Sequence, residues 1–146
     1  MRRPYVRMLV HVVWATWDRA PLLDRDLIGP IHAAIAEQAR KLGCDPVHVG
    51  GVSDHVHVLV GLPPTLAVAD LVRRLKGASS HLVNHGLAPG IGFRWQGAYS
   101  AFSVGRDGYE RARDYVGRQP AHHARDQVDP DWEISAQPES GDGSAS

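Results

Sequence analysis

The run Asp54-His55-Val56-His57-Val58-Leu59-Val60 constrains this chain more than any other. Successive residues of a strand project to opposite faces of a sheet. Val56, Val58 and Val60 therefore share one side, and His55 and His57 share the other. A valine row of this kind points toward packed helices. Two imidazoles side by side in the middle of a sheet must find polar partners, or one of them a cation, because burying an unpaired polar group is costly. The spacing leaves two readings open: a hydrogen-bonded histidine pair, or a pair of metal ligands with an open position for Lewis-acid chemistry.

The pattern on either side of that strand predicts an order of elements. Residues 5–17 are β-branched and aromatic, and apolar on both faces at their centre, as in a covered central strand. Leu27, Ile31, Ala34, Ile35, Gln38 and Leu42 recur at helical spacing over 26–42, with Asp24 or Asp26 as the cap and Gly43 as the stop. Two strands follow, 46–52 and 55–61, joined by a tight turn at Ser53-Asp54 and halted by Pro63-Pro64. A helix over 66–84 carries the stripe Val68, Leu71, Val72, Leu75, Ser79 and Leu82, with Lys76 at its flank. Residues 98–104 read as a fourth strand, and 107–119 as a last helix capped by Asp107 and stopped before Pro120.

Strand, helix, strand, strand, helix, strand is the split βαβ arrangement. The expected fold is therefore α+β: a ferredoxin-like sandwich with an antiparallel four-stranded sheet, plus a C-terminal helix. Strands one and three would be central, and the first two helices would cover one face. The other face is left for the last helix or for a ligand.

Charge divides the chain. All 16 Lys and Arg lie at or before Arg125, with ten of the 16 acidic residues; six acidic residues follow it. Residues 1–125 thus carry a formal +6 and residues 126–146 a formal −6. A moderately basic domain is permissive for nucleic acid and no more than that. Residues 1–125 are expected to form one domain. The acidic remainder, rich in Asp, Pro, Ser and Gly, is expected to be disordered over 135–146. The N-terminal apolar run is broken by Arg7, His11 and Asp18 and is too short to span a bilayer. With no signal-peptide pattern and only Cys44 as a thiol, the expected location is cytoplasmic, with no intrachain disulfide.

On the last helix, Tyr115 and Gln119 stand four residues apart and share a face. If that helix covers the open face of the sheet, Tyr115 brings a phenol and Gln119 an amide oxygen to the histidines. Tyr109, Ala112 and Val116 mark a similar stripe, so a core tyrosine is the competing reading.

Gly51 to Val60, ending in Pro63-Pro64, resembles the histidine-hydrophobe-histidine (HUH) signature of the single-tyrosine transposases of the smallest bacterial insertion sequences. The resemblance starts at His11 to Thr16 and continues through Leu75-Lys76-Gly77 with Ser79, Trp95-Gln96-Gly97 with Tyr99, and Ala101 to Val104. It closes with Tyr115 to Gln119 and His122-His123, and covers about residues 5–125. The resemblance implies a metal-dependent endonuclease and strand transferase acting on single-stranded DNA. It implies that His55, His57 and Gln119 bind Mg²⁺ or Mn²⁺, and that Tyr115 forms a covalent 5′-phosphotyrosine. It also implies DNA with hairpin ends as partner, and a homodimer in which the tyrosine helix of one subunit can serve the other.

Lys76 and Arg73 are candidate phosphate contacts, and Trp95 and Tyr99 candidate stacking platforms for unpaired bases. Lys76 has the alternative of lying along the apolar stripe, and Phe102 that of core packing. Three other functions fit some of the pattern. A domesticated nickase of chromosomal repeats keeps the chemistry. A catalytically inactive DNA-binding regulator drops it. A ferredoxin-like metabolic metalloenzyme would need a small-molecule pocket, and no phosphate-cradling glycine loop supports one.

Overall fold

The N-terminal apolar run folds as β1 (Met8–Ala15), and in the computed structural model, which describes residues 5–117, it sits at the centre of an antiparallel sheet. Its neighbours are β3 (His55–Leu62) and β4 (Ser100–Val104), while β2 (Val47–Val52) pairs with the outer side of β3. The sheet order β2-β3-β1-β4 is the expected one, with strands one and three as the inner pair. Gln119, His122, His123, the boundary expected after residue 125 and the acidic stretch all lie outside the described residues.

Helices α1 (Ile28–Lys41) and α2 (Val68–Leu82) cover one face. Their buried residues, Ile31, Ile35 and Ala39 with Leu71, Val72 and Leu75, meet Val12, Trp14, Val56, Val58 and Val60 of the sheet. The innermost residue of the last turn of α1 is Ala39 rather than Gln38, which is half-buried. Neither Asp24 nor Asp26 is the cap: Leu27 holds that position without a side-chain bond, and Asp24 Oδ1 instead closes the preceding turn by accepting from the backbone N–H groups of Asp26 and Leu27 at 2.9 and 3.0 Å. Gly43 ends the helix at φ 90°, a conformation that costs an L-residue but not glycine.

Helix α3 (Tyr109–Gly117) takes the opposite face. It does not begin at Asp107 as the sequence suggested. Residues 106–108 form a single tight 3₁₀ turn after Gly105, and no side chain caps it. Ala112 and Val116 pack on Leu59, flanked by Val104 and Tyr109. This second core is much smaller than the first. Cys44 is buried beside the first core, where burial pushes its thiol above the usual range. No helix among the described residues is long and apolar enough to cross a membrane.

The close seat of α3 depends on Gly50 in β2, where any Cβ would collide with the Val116 carbonyl oxygen. Gly50→Ala is expected to destabilise the protein by about 2 kcal/mol through this overpacking. Amide exchange should accelerate first along α3; protection equal to wild type there would show that the helix is not seated on Gly50.

Candidate active site

The β1–β3 register sets out the histidines. Val13 pairs with His57 and Ala15 with His55, so His11, opposite Leu59, is the diagonal neighbour of His57 on the same face. All three imidazoles are fully buried. His55 and His57 stand with ring centroids 5.1 Å apart, and His11 stacks on His57 at 5.0 Å.

Each ring of the expected pair has its Nδ1 engaged. His55 Nδ1 lies 2.7 Å from Asp54 Oδ1, and His57 Nδ1 lies 2.8 Å from His11 Nε2. Asp54 is itself held by Arg19, whose Nη2 donates to Oδ2 at 3.1 Å. Burial alone would raise the Asp54 carboxyl; the hydrogen bond and charge of His55, with Arg19, outweigh it and hold the group below the usual carboxylate range. Arg19 reaches Asp54 from a turn in which Asp18 and Arg19 both adopt positive φ, 54° and 51°. That conformation costs a non-glycine residue about 1–2 kcal/mol, so the turn spends stability to aim a guanidinium at the Asp54-His55 pair.

Tyr115 lies on the face of α3 that meets this cluster. Its ring centroid is 5.7 Å from His57 and 6.4 Å from His11, edge-on to both. A single chain therefore brings tyrosine and histidines together in cis. At 7% exposure the ring is almost covered. Tyr109, the other tyrosine of α3, belongs elsewhere: its hydroxyl is 2.9 Å from His48 Nε2 on β2. Burial, followed by Arg113 and Arg40, lowers the pKa of His48.

Phe102, for which core packing was the alternative role, is half-buried on the histidine face with its ring 6.2 Å from His11. Two further participants, His11 and Asp54, are not singled out by the sequence pattern. The signals that could have found them are a polar residue inside an apolar strand, and an acid directly before the first histidine. Among the described residues no group of three or more His, Cys, Asp or Glu side chains is placed to hold a metal ion. Two imidazoles with Nδ1 already engaged still suit a cation, because each would offer it Nε2.

The four candidate DNA contacts are gathered away from the histidine cluster. Arg73, Lys76, Trp95 and Tyr99 line one cleft between α2 and residues 93–99. Trp95 is 7% exposed and packs edge-on against Trp14 and Phe93, with its indole N–H donating to Ser79 Oγ at 2.9 Å. It is a structural wall of the cleft. Lys76 Nζ donates to the carbonyls of Gln96 and Ala98 at 2.7 and 3.0 Å, and burial lowers its pKa to about 8.

The chain thus combines a ferredoxin-like sheet, paired histidines on one face and a helix that sets a tyrosine above them. Residues 5–119 match the family model for IS200-like transposases, and the chain belongs to that family. It is 30% identical over 79 residues to the ISDra2 transposase TnpA of Deinococcus radiodurans, a match covering 53% of this chain and 56% of that relative. The matched region thus spans little more than half of the curated relative's length. Among solved structures, a candidate transposase from D. radiodurans R1 aligns with TM-score 0.64 at 25% identity, covering 82% of this chain and 96% of that one. A REP-associated tyrosine transposase bound to a REP hairpin has the same fold, with TM-score 0.60 at 19% identity over 88% of this chain and 74% of that one.

Replacing His11 by leucine removes the partner 2.8 Å from His57 Nδ1. Loss of one buried hydrogen bond of this kind costs about 1–3 kcal/mol. His11→Leu is expected to melt earlier and to redistribute His57 between its two tautomers, read from ¹⁵N shifts of the imidazole. An unchanged tautomer ratio would mean that His11 does not orient His57.

Proposed function

We propose that this protein nicks and rejoins single-stranded DNA as a metal-dependent transposase, with Tyr115 as nucleophile. The observation that carries the reading is the position of Tyr115 on α3, 5.7 Å ring to ring from His57, in a chain of the IS200-like transposase family. The substrate would be a DNA strand with hairpin ends. The REP-bound protein, with the same fold, supports this.

In the reaction, Tyr115 Oη forms a bond to the scissile phosphorus as the bond to the 3′ oxygen breaks. The phenol loses its proton and the 3′ oxygen gains one, leaving a 5′-phosphotyrosine and a 3′-hydroxyl. Attack by another 3′-hydroxyl reverses the step and joins strands without an outside energy source. His55, His57 and Gln119 would hold the cation. Bound Mg²⁺ or Mn²⁺ supplies positive charge that polarises the phosphate and steadies the charge developing on it. Asp54 and His11 would act as positioning residues: by engaging Nδ1 of His55 and His57 they would direct Nε2 of each ring toward the cation. Tyr115 must be uncovered to meet DNA. The small contact around Leu59, Ala112 and Val116 makes displacement of α3 inexpensive beside disruption of the main core. Two such chains would act as a homodimer, in which the displaced helix can serve either site.

A second reading, a DNA-binding protein without nicking activity, is favoured only by the coverage of Tyr115. Labelled single strands copied from the flanks of the gene, incubated with Mn²⁺ or EDTA, separate the two. A covalent adduct that survives denaturation, requires metal and disappears in Tyr115→Phe and His57→Ala is the expected result. Hairpin binding without an adduct would favour the binding protein, and an adduct that persists in Tyr115→Phe would remove Tyr115 from its role.

The Lys76 ammonium should contribute to binding while it is charged. Because its pKa is lowered to about 8, it loses its proton as pH rises through that value. Affinity for a single-stranded oligonucleotide is expected to fall between about pH 7 and 9, a range in which a fully hydrated lysine, with a pKa of about 10.4, keeps its charge. Lys76→Arg, charged throughout this range, should abolish that pH dependence; the same fall in both proteins would dismiss Lys76 as its source.

A further inference from the structure

The cleft of about 410 Å³ between α2 and residues 93–99 is built more firmly than its lack of regular structure implies. Asn84 clamps the backbone of Phe93 from both sides, donating to its carbonyl at 2.9 Å and accepting from its N–H at 2.8 Å. Lys76 ties down the Gln96 and Ala98 carbonyls, and the Gln96 N–H donates to the Ala15 carbonyl at 2.8 Å. The wall is therefore preformed. It is joined directly to β1 at Ala15, the residue that pairs with His55.

The floor holds a glycine that the fold does not require. Gly77 lies inside α2, where glycine costs about 1 kcal/mol relative to alanine. Its backbone is helical, and an added Cβ would meet nothing within 4 Å. Neither conformation nor packing accounts for it. The same holds for Gly97 on the facing wall, which also has no atom within 4 Å of an added Cβ. Both glycines line the cleft, and both keep it open.

The lining has a definite chemistry. Arg73, Lys76 and Arg94 contribute cations, Arg73 being paired with Asp70 at 3.4 Å outside the cleft, and among the described residues no Asp or Glu lines the cleft itself. Arg94 is steadied by stacking on Trp17, with its guanidinium carbon 4.0 Å from the ring centroid. Tyr99 is 38% exposed at the rim, an aromatic surface that the core does not use. A cleft with an aromatic surface, a cationic rim and a bare glycine floor suits a flat, anionic ligand.

We propose that this cleft binds one unpaired nucleotide of the DNA strand, with its base over Gly77 against Tyr99 and its phosphate among Arg73, Lys76 and Arg94. The proposal rests on the single-stranded DNA reading given above. It adds a binding position distinct from the histidine–tyrosine cluster, on the far side of the Ala15 strand end. A nucleotide held there would fix the strand at a set distance from Tyr115.

Gly77→Leu tests this, because leucine is a strong helix former and its side chain would fill only the cleft. The variant is expected to melt at or above the wild-type temperature, yet to bind a random-sequence single-stranded DNA pool at least tenfold more weakly. Tyr99→Ala should also weaken binding, while Arg74→Ala, on the same helix but not lining the cleft, should not. With ¹⁵N-labelled wild type, the pool should shift the amide signals of Gly77 and Gly97. If Gly77→Leu binds as tightly as wild type, or the pool binds without moving those signals, the cleft is not a nucleotide site, although the transposase reading stands. If wild type binds no single-stranded DNA from the pool yet forms the metal-dependent adduct with the hairpin-ended strands, the cleft proposal falls alone; if it does neither, both readings fall together.

Discussion

The antiparallel pairing of β1 with β3 is the constraint on which the rest of the molecule depends. Its register sets Val13 against His57 and Ala15 against His55, and so brings His11 to the ring of His57. A slip of one residue would turn every side chain of a strand to the other face. The imidazoles would then enter the packed core under α1 and α2, and the valines would face α3. Burial of Val56, Val58 and Val60 makes that slip prohibitively unfavourable. The hydrophobic core thus aligns the polar site without touching it.

The two faces of the sheet divide the work. Under α1 and α2 lies a large apolar core that resists change. Under α3 lies a small one, centred on Leu59, beside a cluster of buried imidazoles. Under the mechanism proposed above, so small a contact would let α3 move and carry Tyr115 out to a phosphate. The strained turn at Asp18-Arg19 fits the same division. Backbone stability is given up where it aims Arg19 at Asp54, and Asp54 in turn holds His55.

Much of the fold was legible because it follows from local periodicity. The alternation at 54–60 and the helical stripe through Leu71, Val72, Leu75 and Ser79 describe the burial found for β3 and α2. Misreadings arose where a local signal met a competing local geometry. Asp107 has the chemistry of a helix cap, but a 3₁₀ turn after Gly105 begins the segment instead. Trp95 has the chemistry of a stacking platform, but Trp14, Phe93 and the Ser79 hydroxyl draw it into the core. Such outcomes depend on which neighbours arrive from distant parts of the chain.

The amino-acid sequence by itself determined the order of elements, the shared face of His55 and His57, and Tyr115 as the residue to watch on the last helix. The first two follow from repeats of two or about 3.6 residues, which a chain carries wherever it is placed; Tyr115 stood out through the family resemblance, since the helical repeat by itself fits a core tyrosine equally well. Only the tertiary structure decided that His11 holds His57, that Arg19 holds Asp54, and that Tyr115 stands over His57 within one chain. It alone also decided that Gly77 and Gly97 open onto a single cleft. The physical reason is sequence separation. His11 meets His57 across 46 residues, and Lys76 meets Ala98 across 22. Contacts of that span are set by strand register and helix packing, which no local pattern encodes.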